Sequence, residues 1–202
     1  MRKHFCTSLA LAVATLAACT HGDASADAPL APPGGAALAR AHGKPRATWT
    51  ASALTRDVPL AEDVVLRQVV DARGGTLELR ALGLRVEVPA GAVLAPMTIQ
   101  ITAVAGEMIA YDFAPEGAVF TRPILVSQSV RGTSWERLKK SQRQDVAAGY
   151  FTDRSMLDHA SGTARIAEVL ATTPAWSGNE IQFPVHHFSG YMYSWGRSRI
   201  HE

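Results

Sequence analysis

The chain has 202 residues, 47% hydrophobic and 19% charged, a balance typical of one globular domain with a terminal extension. The formal net charge is +2, and loss of Arg2 and Lys3 with an export signal would leave 18 basic residues against 18 acidic ones. No basic stripe stands out, which argues against a nucleic-acid partner. The two cysteines, Cys6 and Cys19, both precede residue 20, so their number excludes a structural disulfide or thiolate metal site in the folded domain.

Residues 1–18 are predicted to form an export signal. Basic residues near the start precede an apolar run from Phe5 to Ala18, which ends in small residues. This run of about 14 residues is shorter than the roughly 20 that a membrane-spanning helix needs, so a permanent anchor helix is the poorer interpretation.

The end of this segment, Leu16-Ala17-Ala18-Cys19, resembles the lipobox of bacterial lipoproteins. The resemblance implies a diacylglyceryl group on the Cys19 sulfur, cleavage before Cys19 and acylation of the new amino terminus by a fatty acid such as palmitate. Several acyl chains hold a protein to a membrane far better than one. Thr20 stands where an aspartate would favour the inner membrane, so we expect the outer membrane, facing the periplasm, if the source has two membranes. The alternative is an ordinary secretory signal with a chance cysteine.

Residues 19–60 are predicted to form the lipidated N-terminus and a flexible, mostly disordered tether. They are rich in Ala, Pro and Gly, and no helical or strand period persists in them. A flexible chain of about 40 residues would span roughly 35 Å on average and lift the domain clear of the lipid headgroups. Trp49 is the single aromatic residue in this segment and could dock on the domain. The alternative to disorder is a short, uncapped helix over residues 35–42.

The remaining sequence is predicted to be all-β, a single antiparallel β-sandwich over residues 61–198. The segment 64–70 is rich in β-branched residues, and the segments 76–80 and 84–88 alternate apolar and charged residues around a hairpin link. Further strands are predicted at 98–104, 109–113, 123–130, 147–152, 164–170, 180–185 and 191–195. Many short strands separated by Gly and Pro turns are typical of a β-sandwich.

Residues 131–145 lack the strand pattern. Ser134 could cap a helix over residues 135–142, in which Trp135 and Leu138 form a narrow apolar stripe. The sequence leaves two interpretations open, a short surface helix and an ordered loop.

Several blocks in order resemble a ZU-five-type domain, which zonula occludens proteins, netrin receptors and ankyrins share. These blocks are residues 74–77, 84–92, 98–101, 111–117 and 120–123, together with the closing His187-Phe188-Ser189 and Tyr191. The resemblance covers about residues 72–130 and 180–195, and it implies a β-sandwich of this size that binds other proteins or holds neighbouring domains. Residues 131–175 have no counterpart in it.

Some members of that family cleave themselves within a His-Phe-Ser sequence. The resemblance implies that Ser189 Oγ would attack the Phe188 carbonyl carbon, with His187 as the base that takes the hydroxyl proton. Gly190 would allow an unusual φ angle at little cost. In a regular strand, positions 187 and 189 stand roughly 6.6 Å apart, so the reaction requires a kink or bulge.

The alternative interpretation is a terminal strand without chemistry, in which His187 is a half-buried histidine. In that strand it shares one face with Phe183, Val185, Tyr191 and Tyr193.

Other chemistry has less support in the sequence. Adjacent strand residues such as His186 and His187 point to opposite faces and do not easily chelate one ion. Asp153, Asp158 and His159 are interpreted as solvated loop residues. The chain contains no nucleophile elbow, zinc-protease motif, phosphate loop or dinucleotide fingerprint, so we expect no cofactor and no metal.

The sequence therefore supports three hypotheses of function. The leading one is a non-enzymatic, lipid-anchored envelope protein whose sandwich binds a protein or cell-wall partner or has a structural role. The second is a self-cleaving module that cuts between Phe188 and Ser189, and the third is a secreted enzyme built from scattered residues.

Overall fold

The computed structural model describes residue 47, residues 49–174 and residues 178–200. Within these residues there are three antiparallel sheets, and the larger of the two main ones has nine strands. They are β1 (Trp49–Ala53), β3 (Val64–Val70), β6 (Met97–Ala103), β8 (Ala110–Ala114), β10 (Ala147–Phe151), β11 (Leu157–Asp158), β12 (Thr163–Ile166), β13 (Glu168–Ala171) and β16 (Gly190–Arg199).

The smaller sheet has five strands, and a separate pair completes the described part of the chain. The five strands are β4 (Gly75–Leu79), β5 (Leu84–Val88), β9 (Val119–Ser129), β14 (Thr173–Pro174) and β15 (Glu180–His187). The pair consists of β2 (Thr55–Leu60) and β7 (Gly106–Met108).

The strand order places the end of the chain at the centre of the larger sheet. That order is β11-β12-β1-β16-β8-β6-β3, and β10 pairs with both β13 and β16. The smaller sheet has the order β14-β15-β9-β5-β4. Because β16 pairs with β1, β8 and β10, the C-terminal strand connects segments from three separate parts of the sequence.

The core lies between the two sheets, where the alternating apolar side chains of each sheet meet. Ile99 and Ile101 of the larger sheet are fully buried in the same cluster as Val86 and Val126 of the smaller one. Period-two alternation forces this arrangement, because successive side chains of a strand point to opposite faces of its sheet. The predicted all-β sandwich is therefore confirmed.

The predicted surface helix is present but begins later than expected. Residues Ser134–Arg137 form a turn of 3₁₀-helix, and the helix α1 covers only Lys140–Gln144, without a buried residue. The side chain of Thr133, rather than that of Ser134, caps the 3₁₀ turn by accepting a hydrogen bond from the Trp135 amide.

The predicted tether over residues 19–60 is wrong at its C-terminal end. Strands β1 and β2 belong to the folded domain, and β1 pairs with both β12 and β16. Ala51 and Ala53 are buried in these pairs. The segment has the small residues that such close packing needs but few of the β-branched residues that mark a strand in sequence, so its composition resembled that of the tether.

The signal segment, Cys19 and the alternative helix over residues 35–42 lie outside the described residues. Within the described ranges, no helix combines the length and apolar character needed to cross a membrane.

Candidate functional site at the Phe188–Ser189 junction

Phe188 and Ser189 are the two residues at which the chain leaves one sheet and enters the other. Strand β15 ends at His187 and pairs with β9 in the smaller sheet, whereas β16 begins at Gly190 and pairs with β8 in the larger sheet. The pairing register of β15 also shifts between Val185 and His187. The alternative interpretation, one terminal strand with His187 and Tyr191 on a common face, is therefore wrong, because the chain changes sheet between His187 and Gly190. Burial alternates along β15, whereas the first five residues of β16 are all buried.

Phe188 is held at the junction by both its backbone and its side chain. Its amide donates a hydrogen bond of 2.9 Å to the Ala118 carbonyl, and its own carbonyl accepts one of 2.9 Å from the Gly117 amide. Its fully buried ring stacks on Phe113 at 5.3 Å between centroids and meets Phe120 edge-on at 4.5 Å. The carbonyl that a nucleophile would attack thus already has one fixed hydrogen-bond donor.

That donor comes from a turn between β8 and β9. Gly117 has a φ of +75°, a backbone conformation in the left-handed region that glycine adopts far more readily than other residues. The sequence showed the turn, through Pro115 and Gly117, but gave no sign that its amide reaches residue 188, 71 positions along the chain.

Ser189 lies at the edge of a small pocket. The residue is nearly buried, at 6% exposure, and its carbonyl accepts a hydrogen bond of 3.0 Å from the Phe113 amide. The pocket has a volume of about 290 Å³ and is also lined by Asp112, Thr152 and Arg154. Water therefore has access to the neighbourhood of the Phe188–Ser189 peptide.

Charges beside this pocket are paired with one another. The Arg154 guanidinium donates to Asp112 and, at 2.5 Å, to Asp63. The hydrogen bond from Arg154 is the largest influence on Asp63, and with the donating amide of Ala105 it lowers the pKa of that carboxyl below its ordinary value. This cluster connects the beginning of β3, the strand β8 and the short 3₁₀ turn at residues 154–156.

The side chain of His187 contacts two tyrosines, and no hydrogen bond joins it to Ser189 within the described residues. Its ring meets Tyr150 edge-on at 5.4 Å between centroids, and its Nδ1 lies 3.3 Å from the Tyr191 hydroxyl. That hydroxyl also donates to the His187 carbonyl at 2.8 Å. Because the proton of the Tyr191 hydroxyl is used in the bond to the His187 carbonyl, that hydroxyl can only accept from the His187 ring. In the neutral ring, Nδ1 would therefore carry the hydrogen and Nε2 the lone pair. Burial raises the pKa of Tyr191, which keeps the hydroxyl protonated.

His187 and Ser189, the predicted base and nucleophile, are therefore two positions apart in sequence but contact different groups. Among the described residues no hydrogen bond joins His187 to Ser189, and His187 does not line the pocket at Ser189. The kink that the reaction requires is present at residues 188 and 189, whereas a hydrogen bond between base and nucleophile is not.

Gly190 serves a different purpose from the one predicted. Its φ lies outside the left-handed region, so unusual backbone geometry is not why glycine stands there. A Cβ atom at this position would lie 2.2 Å from Cε2 of Phe151, and no real contact is that short. Glycine is required because the Phe151 ring occupies the space that a side chain at position 190 would fill.

The remaining candidate residues have local structural roles. Asp153 accepts a hydrogen bond from the Ser155 amide and caps a 3₁₀ turn, and Asp158 accepts from the amides of Ala160 and Ser161. In the described part of the chain no group of three or more His, Cys, Asp or Glu side chains is placed to hold a metal ion.

Comparison with known proteins adds no relative. No protein-family model matches the chain, and no curated protein matches it. The resemblance to ZU-five-type domains and to lipoproteins therefore stays a prediction based on the sequence motifs.

Proposed function

We propose that this protein is a lipid-anchored component of the bacterial cell envelope whose β-sandwich is a non-catalytic binding module. The observation that carries the non-catalytic role is the placement of His187, whose Nδ1 and carbonyl both contact the Tyr191 hydroxyl. A histidine in such contacts helps to hold the end of β15 against β16, which is a structural task.

The anchor is supported by the sequence Leu16-Ala17-Ala18-Cys19. A lipid on Cys19 would hold the chain to the membrane, and residues 20–46 would separate the lipid from the first described strand. This arrangement suits a protein that presents its domain to a partner in the envelope, on the periplasmic face of the outer membrane if there are two membranes.

The surface that best suits a protein partner is the edge strand β3. It pairs with β6 over all seven residues and is the last strand of its sheet. Val65 and Val69 are exposed on it, Val69 by 65%. An edge strand offers unpaired backbone donors and acceptors to an extended segment of another protein, and exposed β-branched side chains add apolar contact.

Fatty-acid labelling of cells tests the anchor. The wild-type protein is expected to incorporate labelled palmitate and to fractionate with membranes, whereas Cys19→Ala should lose both properties. Cys6→Ala is the matched control, because Cys6 lies within the signal and should leave the label unchanged. Retention of the label in Cys19→Ala would contradict the anchor.

Site-specific photo-cross-linking in cells tests the binding surface. A cross-linking residue at position 69 should give a discrete protein adduct, whereas the same residue at Leu94, which is 80% exposed but lies outside β3, should not. Co-sedimentation of the purified protein with isolated cell-wall sacculi tests the wall as a partner. The binding role fails if neither an adduct nor co-sedimentation is found.

A second candidate function is self-cleavage at the Phe188–Ser189 bond. The favouring observation is the position of this bond at the change of sheet, with its carbonyl oxygen bound by the Gly117 amide. A donor at that oxygen would stabilise the negative charge that develops when a nucleophile attacks the carbonyl carbon.

In this reaction Ser189 Oγ forms a bond to the Phe188 carbonyl carbon, and the peptide C–N bond breaks. The hydroxyl proton passes to the Ser189 nitrogen, which becomes a free amine. Water then hydrolyses the ester, leaving a carboxylate on Phe188 and restoring the serine hydroxyl. His187 would first have to turn from Tyr191 toward Ser189, since a base must reach the proton that it abstracts.

Intact mass spectrometry of the purified protein distinguishes the two functions. Self-cleavage predicts a chain that begins at Ser189 in the wild type and its absence in Ser189→Ala. His186→Ala is the matched control for His187→Ala, because His186 is exposed on the opposite face of β15. A single intact species in wild type and variant excludes self-cleavage.

A further inference from the structure

Arg56, on β2, is an arginine that the fold has almost fully buried. The residue is 8% exposed. Its Nη1 donates a short hydrogen bond to the Met108 carbonyl on the paired strand β7, and its guanidinium carbon lies 5.5 Å from the centre of the Tyr111 ring. These contacts hold one end of the guanidinium group and one of its faces.

The opposite edge of the same group has no partner. Nε and Nη2 are both buried, and neither makes a hydrogen bond within the described residues. No carboxylate there forms an ion pair with Arg56. The neighbouring Asp57 is instead paired with Arg137 at 2.7 Å. Among the described residues this buried guanidinium therefore has no carboxylate partner, an arrangement that costs stability unless an anion completes it.

The geometry of the free edge indicates which anion would fit. Nε–H and Nη2–H of a guanidinium point the same way, side by side, and together they match the two oxygens of a carboxylate. A single carbonyl oxygen could accept from both donors, but a carboxylate gives each donor its own oxygen and supplies the negative charge. The unpaired edge is thus suited to a bidentate acid group.

Arg56 is one of the residues that line a pocket of about 420 Å³. The lining also includes two further cationic residues, Arg80 and Arg131, and one carboxylate, Asp57. Its apolar residues include Pro59, Leu60 and Leu82. Arg80 is already paired with Glu78 at 2.5 Å, whereas Arg131 forms no ion pair with the residues that the structure describes. Arg131 therefore adds positive charge to the lining of the pocket.

Part of the pocket wall is fixed by hydrogen bonds. The Tyr111 hydroxyl donates to Gln128 Oε1 at 2.6 Å, and Gln128 Nε2 donates to the carbonyls of Leu82 and Ser129. Every polar atom of the Gln128 amide group is thus used within the protein. Arg56, by contrast, is a buried side chain of the pocket with two N–H donors that have no partner among the described residues.

We propose that this pocket binds a small organic carboxylate with an apolar body, and that Arg56 holds the acid group through Nε and Nη2. Both nitrogens are covered by protein atoms, so binding includes a rotation of the Arg56 side chain toward the pocket. The ligand's apolar part lies against Pro59, Leu60 and Leu82, and Arg131 attracts the negative charge. This site is independent of the lipid anchor and of the Phe188–Ser189 bond.

Benzoate and benzamide are the probes that test this site, because they share one shape and differ in charge. We expect benzoate to raise the Tm of the purified protein with increasing concentration, as a ligand of the folded state does, and benzamide to leave it unchanged. Arg56→Gln should weaken benzoate binding by at least about tenfold, a loss expected when a charged bidentate contact is removed. Arg67→Gln, which alters an exposed arginine outside the pocket, should bind benzoate as the wild type does.

A second variant and a second readout keep the proposal testable if Arg56→Gln folds poorly. Arg56→Met replaces the unpaired charge with an apolar side chain, so without benzoate it should be at least as stable as the wild type while failing to respond to benzoate. Amide NMR shifts on adding benzoate to the wild type should concentrate at residues 56–60, 80–83 and 128–133. Equal effects of benzoate and benzamide, undiminished benzoate binding in Arg56→Met, or shifts elsewhere would overturn the proposal.

Discussion

Gly190 and Phe151 face each other across the pairing of β16 with β10, and a Cβ atom on Gly190 would lie 2.2 Å from the Phe151 ring. This contact is next to Ser189, at the point where the chain enters the larger sheet. The placement of the Phe151 ring over β16 therefore depends on the absence of a side chain at position 190.

Gly190→Ala should lower the free energy of unfolding by about 1–3 kcal/mol, because the added methyl group overpacks a fully buried ring. Urea denaturation measures the loss. Phe151→Leu in the same chain should recover part of it, with a coupling of about 0.5–3 kcal/mol between the two sites. Unchanged stability in the single variant would show that the Phe151 ring does not occupy the space beside Gly190.

Phe188→Ala should be among the most destabilising substitutions at the junction. The ring is fully buried and contacts Phe113 and Phe120, so its removal leaves a cavity and should cost about 3–5 kcal/mol. His186→Ala on the neighbouring exposed position should change stability by no more than about 0.5 kcal/mol. Similar losses in the two variants, measured by denaturant unfolding, would contradict the anchoring role of Phe188.

The N-terminal boundary of the domain can be tested with two fragments. Residues 47–200 include β1 and β2 and should unfold cooperatively. Residues 61–200 lack both strands, so the partners β12 and β16 lose their pairing with β1, and this fragment should show no cooperative transition. Calorimetry or circular dichroism on heating provides the comparison. Equal stability of the two fragments would restore the tether boundary at residue 60.

The contribution of Asp63 should depend on pH. Its folded-state pKa is lowered, so the stabilisation is present above the unfolded value of 3.8 and is lost as the pH falls through the folded value. Both Asp63 and Arg154 are partly exposed, so Asp63→Asn should cost less than about 1 kcal/mol near neutral pH. The difference from wild type should shrink below about pH 4, and Arg154→Gln should show the same trend. A difference that is constant with pH would contradict the ion pair.

The sequence determined the fold class and most strand positions, because alternation of apolar and polar residues is a local property. Strands β3 and β5 begin and end at the predicted residues. In β1, Ala51 and Ala53 alternate with Thr50 and Ser52, but Ala is not a residue that marks a strand in sequence, and the burial of both depends on contact with strands more than 100 positions later.

In the candidate sites, too, the residue types are visible in the sequence, whereas their contacts depend on the tertiary structure. His187, Phe188 and Ser189 stand out in sequence as a motif, but only the tertiary structure places a change of sheet between them and brings the Gly117 amide to the Phe188 carbonyl. The identity of Arg56 gives no hint of its environment. Its charge became buried and unpaired because β2 packs against β7 and Tyr111, and these long-range contacts are determined by how the whole chain fills its core.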